Sequence, residues 1–285
     1  MVKTFDIFSS FIKGWVFIVV FGVGALGVST VAAAPSPDLW PRWQVNQPDS
    51  MKVVDHSIWA RTLAKYLVTT HPSKINRVRY SAVAPEDRKD LARYIKKLQR
   101  EKVSSLSRQE QKAYWVNLYN SLTVKIILDY YPVKSIMDID ISPGFFSNGP
   151  WDAKLLEIEG HMLSLNDIEH RILRPIFKDD RLHYALNCAS LGCPDLQPVA
   201  FTAANIEKLL EDGARTYINS SRGAQIVKGK LTVSSIFKWF QVDFGGSELG
   251  VIRYLQKYAE GDLVYSLSKH GERLRYDYDW NLNEN

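Results

Sequence analysis

The chain has 285 residues, 46% of them hydrophobic and 24% charged, with a formal net charge of +5 and two cysteines. That length holds one large domain or two small ones with ample core, and the composition excludes disordered and fibrous classes. Basic residues are interleaved with acidic ones and form no stripe, so nothing marks a nucleic-acid binder.

Lys3 and Lys13 precede an apolar run from Trp15 to Val28, and small residues follow from Ser29 to Ala34. A basic start, an apolar middle and a small-residue end are the parts of a secretory signal. Val31-Ala32-Ala33 fits the cleavage pattern, which makes residues 1–33 the signal peptide and Ala34 the first mature residue. The alternative is an uncleaved anchor, because the run approaches the roughly 20 residues that a membrane span needs. Gly22, Gly24, Gly27 and the alanines thin its apolar character and favour cleavage. Either way the body of the protein is expected outside the cytoplasm, periplasmic or secreted, touching a membrane only through an uncleaved segment.

Residues 34–54 read as an extended strap, with Pro35, Pro37, Pro41 and Pro48 around Trp40 and Trp43. A single globular domain is expected over 55–285. Its first helix runs from Asp55, as cap, to Thr69, with Pro72 as stop. Arg77 to Val83 alternates as a short strand. Pro85 opens a second helix with Leu91, Tyr94, Ile95 and Leu98 inward. Ser107 to Tyr130 is a long helix, opened by Ser107 and Glu110 as a capping box, ended by Pro132, and apolar nearly all round, hence buried. A buried amide without partners costs roughly 1–3 kcal/mol. Asn117 and Asn120 on this helix therefore either tie down loop backbone or line a pocket and orient a substrate or a histidine. In the turn-rich loop 138–149, Phe145 and Phe146 either cover a site or plug into the core. Lys154 to Leu165 reads as a hairpin turning at Glu159-Gly160.

The stretch Ser164 to Pro194 holds both cysteines and two of the six histidines. Ser164 caps a helix with Asp167 opposite it, and Pro175 is expected to stop that helix. At about 100° per residue, Leu165, Ile168 and Ile172 share the core face. Glu169 falls within it, His170 lies on the flank, and Asp167, Arg171 and Arg174 point away. A buried Glu169 is either a structural carboxylate paired with a cation or backbone amides, or one perturbed for chemistry. Leu182 to Leu186 reads as a short buried strand leading to Cys188 and Cys193. Three readings of the cysteines follow. The first is a Cys188–Cys193 disulfide in an oxidising compartment. The second makes Cys188 a nucleophile with His183 or His170 as base and Glu169 or an asparagine orienting that base. The third, ranked last, is a zinc site from the two histidines and two cysteines, whose spacing matches no standard finger; no metal or other cofactor is expected.

Beyond Pro194, Thr202 to Ser220 is an amphipathic helix and Gln225 to Ser234 a hairpin. Phe237, Trp239, Phe240 and Phe244 are core aromatics interleaved with Lys238 and Asp243, which form a structural pair or reach the same pocket. Ser247 to Ala259 is a helix, Leu263 to Leu267 a final strand, and Tyr276 to Trp280 a packed tail. The blocks YWVNLYNSLT (114–123), SLNDIEHRILR (164–174), LHYALNCASLGCP (182–194), IFKWFQVDFG (236–245) and YDWNLN (278–283) occur in that order. Together they resemble the family catalogued as domain of unknown function 547. The resemblance implies a single family domain, often found in exported bacterial proteins. It brings no established reaction, so no catalytic role is carried over from it.

The expected fold is α+β and helix-rich, with about six helices around the Arg108–Tyr131 helix and short antiparallel hairpins at the side. The leading functional expectation is an exported hydrolase or acyl transferase using Cys188, His183, His170 and Glu169, with Asn117, Asn120 and Lys238 binding a small molecule or peptide. The alternative is a non-catalytic periplasmic binding or scaffold domain with a structural Cys188–Cys193 disulfide. A solvent-reachable pocket with a histidine in reach of Cys188 or Glu169 favours the enzyme. The same groups sealed and mutually satisfied favour the scaffold.

Overall fold

The computed structural model describes residues 35–144, 148–269 and 273–285. The expected signal segment 1–33 and the two phenylalanines Phe145 and Phe146 lie outside them. Ser57–Tyr66 (α1) follows Asp55, whose carboxylate accepts the Ser57 N–H at 2.9 Å. The helix ends three residues before the expected Thr69, because Leu67–Val68 (β1) turns extended to pair antiparallel with Arg77–Val78 (β2). Only those two residues of the expected Arg77–Val83 strand pair as a strand; Tyr80–Ala82 is a single tight turn. Pro85–Gln99 (α2) starts at its proline and buries the four residues expected of it, Leu91, Tyr94, Ile95 and Leu98.

Arg108–Tyr130 (α3) is the axis of the molecule, and every residue from Glu110 to Val124 is buried. Ser107 caps it by accepting the Glu110 N–H. The Glu110 carboxylate does not close the box; it accepts the Val54 N–H at 2.7 Å and fixes the end of the strap. Trp43 in the same strap is buried edge-on against Trp115, with ring centres 5.2 Å apart. The strap is thus part of the core, as its tryptophans implied.

Leu156–Ile158 (β3) and His161–Leu163 (β4) form the expected hairpin, with Glu159 and Gly160 both at positive φ in the turn. The next helix (α4) differs from expectation. It is a π-helical turn over Asp167–Leu173, continued by an α turn over Arg174–Phe177, and it runs through Pro175. The π turn supplies the reason. Arg174 N–H bonds back five residues to the Glu169 carbonyl. The carbonyl that Pro175 would serve in that pattern, His170 O, accepts the Asp38 N–H at 2.9 Å instead, and Arg171 O accepts the Trp40 N–H at 3.0 Å. The missing proline donor is replaced from the strap, so the helix need not stop. Wider winding also shifts the buried face. Arg174, expected to point away, is buried along with Glu169 and His170, while Asp167, also expected to point away, is buried at the start of the helix by accepting from the Ser164 N–H and hydroxyl at 2.7 and 2.9 Å.

Leu182 to Leu186 is not a strand either. Asp180–Tyr184 is a 3₁₀ turn, capped by Asp179, which accepts the Arg181 N–H. A local cap outweighs the β-like composition. Ile206–Ile218 (α5) follows a reciprocal Thr202–Asn205 cap. Ala224–Val227 (β5) and Lys230–Ser234 (β6) form a hairpin, and Arg275–Asp277 (β7) joins β6 in parallel. Ile236–Trp239 (α6), Glu248–Gln256 (α7) and Asp262–Lys269 (α8) complete the order. A strand was expected where α8 lies. Leu263 and Leu267 are four residues apart, a helical spacing, and pack on the apolar cluster around Tyr217, Phe237, Phe244 and Leu255. The result is a helix-rich α+β domain with small sheets, and the described residues form one compact unit. No helix among the described residues is long and apolar enough to cross a membrane.

His56, before α1, is buried, with Nδ1 2.6 Å from the Tyr94 hydroxyl and Nε2 without a hydrogen-bond partner. Burial holds its pKa down from 6.5 to about 4. The unfolded chain takes up a proton in that window that the fold refuses. Stability is therefore complete above pH 6.5 and falls as pH drops from 6.5 to 4, by up to about 3 kcal/mol. Urea unfolding of His56→Leu should show a flatter pH dependence in this window, and an unchanged slope would contradict the assignment.

Candidate functional site

Two polar constructions flank α3. The first lies between α4, the 3₁₀ turn at Asp180–Tyr184 and the segment after α6. His183 Nε2 donates to Asp243 Oδ2 at 2.7 Å, and Arg174 Nε donates to the same oxygen at 2.6 Å. The other ring nitrogen of His183 faces Glu169 Oε1 at 3.8 Å, beyond hydrogen-bond reach. Glu169 accepts from the Tyr119 hydroxyl of α3 at 3.1 Å. Arg174 also donates to His170 Nδ1 at 3.0 Å and to Pro35 O at 2.6 Å. Phe240 closes the cluster, with its ring centre 4.2 Å from that of His183 and the Arg174 guanidinium 4.9 Å over its face. The side chains of His183 and Arg174 are 3% and 4% exposed.

The electrostatics follow from this packing. Burial pushes the Asp243 carboxyl up, but the bonds from His183 and Arg174 outweigh it and hold the pKa at about 2. Burial holds the His170 pKa below its ordinary value, and the charge of Arg174 adds to that against the opposing pull of Glu169. His170 is thus a neutral acceptor toward Arg174.

The second construction is the loop Asn187–Pro194. Asn120 clamps its start, donating to Ala185 O at 2.8 Å and accepting the Asn187 N–H at 2.8 Å. Asn117 does the same for Phe201, at 2.7 and 3.0 Å. Both amides are spent on backbone rather than facing a pocket. Asn187 spans the loop, accepting from Ala189 N and donating to Pro194 O. Cys188 and Cys193 are free thiols here, hydrogen-bonded with their sulfurs 2.9 Å apart. Cys188 Sγ also meets the Tyr278 hydroxyl at 3.0 Å and Ser190 Oγ at 3.2 Å. Burial pushes the Cys188 thiol up, but the bonds from Cys193, Ser190 and Tyr278 outweigh it and bring the pKa to about 7. Burial and the neighbouring Cys188 push Cys193 well above its ordinary value.

His170, His183 and Glu169 thus come together, and Cys188 has neither histidine among its hydrogen-bond partners. Lys238 is exposed and lies over the Tyr276 ring. Among the described residues no three or more His, Cys, Asp or Glu side chains form a metal-holding group. Sequence reasoning missed the part played by Arg174, which the wider helical winding turns inward. It also missed Tyr278, whose block closes the chain 90 residues from Cys188. Two cavities are present, the smaller of them against Gly192 of the cysteine loop. One of about 460 Å³ is lined by residues including Thr69, Lys74, Asp195, Asp212 and Thr216; the other, of about 150 Å³, lies beside Arg222, Asp277 and Tyr278.

Fold and sites define a helix-rich α+β domain with a His–Asp–Arg cluster, in which His183 and Arg174 are buried, and a cysteine loop. Residues 103–218 match the family model described as "Protein of unknown function, DUF547", the family that the sequence blocks resemble. No curated protein and no solved structure matches the chain.

Asp243 has a depressed pKa in the fold, so its contribution is present above pH 3.8 and is lost as pH falls from 3.8 toward about 2. Asp243→Asn should lose about 3 kcal/mol at neutral pH, because the Arg174 charge stays buried without its counter-ion. It should also lack the wild-type decline between pH 3.8 and 2. Denaturant titrations at pH 7 and below 4 check both, and an unaltered midpoint at pH 7 would contradict the pairing.

Proposed function

We propose that the protein is an exported binding domain, working in the periplasm or outside the cell on a small polar ligand, rather than a hydrolase or acyl transferase. The observation that carries this reading is the state of His183. One ring nitrogen is bonded to Asp243, the other faces Glu169, and the side chain is 3% exposed. A general base must reach the proton that it removes, and this imidazole is enclosed by its own partners. Acyl transfer through Cys188 needs a histidine at its sulfur and free donors for the oxyanion. The sulfur's hydrogen-bond partners are Cys193, Ser190 and Tyr278.

The cavity of about 460 Å³ suits such a ligand. Thr69, Thr70 and Thr216 offer hydroxyls, Gln197 an amide, and Lys74 and Asp212 opposite charges. That set matches a small molecule carrying hydroxyl, amino or carboxylate groups.

The mature chain should be melted against a panel of aldoses, amino acids and dipeptides. At least one class should raise the melting temperature, and Lys74→Ala and Asp212→Ala should each abolish that shift without lowering the unliganded value by more than a degree or two. Turnover of a fluorogenic ester or amide that disappears in His183→Gln would overturn the reading in favour of the enzyme.

A further inference from the structure

The cysteine loop has a geometry that the binding role does not use. Cys188 keeps part of its surface open to solvent, while Cys193 is buried. Their sulfurs lie 2.9 Å apart, and the Cys188 N–H also points at Cys193 Sγ, at 2.9 Å. Ala189, between Cys188 and Ser190, sits at φ +59°, a left-handed conformation that a non-glycine residue adopts at a cost. That turn brings Ser190 Oγ back onto Cys188 Sγ at 3.2 Å.

The chain terminus completes the arrangement. Gly192 N–H donates to Asp279 O at 2.8 Å, and a Cβ on Gly192 would meet Asp279 N at 2.8 Å and the Tyr278 ring at 2.9 Å. Glycine is required there for the tail to lie against the loop. With the tail in place, the Tyr278 hydroxyl stands 3.0 Å from Cys188 Sγ and 2.8 Å from Ser190 Oγ. Two hydroxyls and a second thiol converge on the sulfur of this half-buried residue.

Five amides of this loop are already committed. Cys188 N goes to Cys193 Sγ, Ala189 N to Asn187 Oδ1, Leu191 N to Asn281 O, Gly192 N to Asp279 O and Cys193 N to Ser190 O. No pair of them is left to hold an oxyanion, which acyl chemistry requires. Thiol–disulfide exchange requires neither an oxyanion site nor a histidine. It needs an accessible thiolate and, for a full cycle, a second thiol within bonding reach.

We propose that Cys188 and Cys193 form an exchange-active dithiol that reduces accessible disulfides, with Cys188 attacking, Cys193 resolving, and Tyr278 and Ser190 as positioning residues. The Cys188 thiolate attacks one sulfur of a disulfide R–S–S–R, forming a Cys188–S–S–R bond and releasing one thiolate. Cys193 then loses its proton to that thiolate and attacks Cys188 Sγ. The second thiolate leaves, and a Cys188–Cys193 bond forms. Two electrons pass from the dithiol to the substrate, and thiol donation by a reductant of the compartment reverses the step. The division of labour agrees with the thiol acidities, since the open cysteine is the more acidic one.

Oxidised glutathione serves as the probe disulfide, with intact-mass readout on the full mature chain. Wild type should end as the internal disulfide with no glutathione attached, and Cys193→Ser should accumulate one glutathione on Cys188. Cys188→Ser should take up glutathione at least about tenfold more slowly. Tyr278→Phe keeps the ring that packs on Trp239 and Trp280. It should shift the pH profile of iodoacetamide alkylation of Cys188 upward, with a rate at pH 7 reduced roughly three- to tenfold, the worth of one hydrogen bond. A stable glutathione adduct on wild-type Cys188 would overturn the proposal. So would an internal disulfide that reduced glutathione cannot reopen in the native protein, which would make the bond purely structural. An unshifted alkylation profile in Tyr278→Phe would remove Tyr278 from the account.

Discussion

Arg174 carries a full positive charge into the interior, and Asp243 is what makes that tolerable. Taking an unpaired cation out of water costs several kcal/mol or more. Here one carboxylate oxygen receives both Arg174 and His183, and one terminal guanidinium nitrogen reaches His170 and the Pro35 carbonyl. The arrangement ties together four segments that are distant in sequence: the strap, α4, the 3₁₀ turn carrying His183 and the segment after α6. Once these are joined, Phe240 closes over them and Glu169 is left facing His183 and Tyr119.

The strap depends on the same helix. A π turn followed by Pro175 leaves carbonyls without helical donors, and unsatisfied backbone groups in a buried place are costly. Asp38 and Trp40 supply the amides, the Arg171 guanidinium stacks 4.6 Å from the Trp40 ring, and Trp43 continues into the core beside Trp115. What reads in sequence as a proline-rich lead-in is therefore a structural component of α4. The cysteine loop is organised in the same manner by a different terminus, with residues 278–283 lying along it and Tyr278 reaching Cys188.

Features set by local chemistry were legible before the structure. The Ser107 cap, the Pro85 start, the Glu159-Gly160 turn and the all-round apolarity of α3 each follow from a few neighbouring residues. The inward Glu169 was legible for the same reason, since the error of the 100° projection is small at the start of α4. By Arg174 the wider winding has accumulated, and a residue assigned to solvent is buried. The 3₁₀ turn at Asp180–Tyr184 and α8 were misread as strands because short apolar stretches have no decisive period. Asn117 and Asn120 were recognisable as buried amides, but their backbone partners at Phe201 and at Ala185 and Asn187 are 65 to 84 residues away. Long-range partners leave no trace in local pattern, and the same holds for Tyr278 at Cys188 and for Asp243 between Arg174 and His183.

The dependence of the fold on the buried charge pair is tested most directly by a double-mutant cycle on Arg174 and Asp243. Arg174→Met, Asp243→Leu and the double variant would be compared with wild type by urea unfolding at pH 7. Removing one partner leaves the other uncompensated, at about 3–5 kcal/mol, while replacing both by apolar groups of similar volume relieves that penalty. The account predicts that the double variant loses far less stability than the two single losses combined. Losses that simply add would contradict it, since they would mean that the two charges do not depend on each other inside the protein.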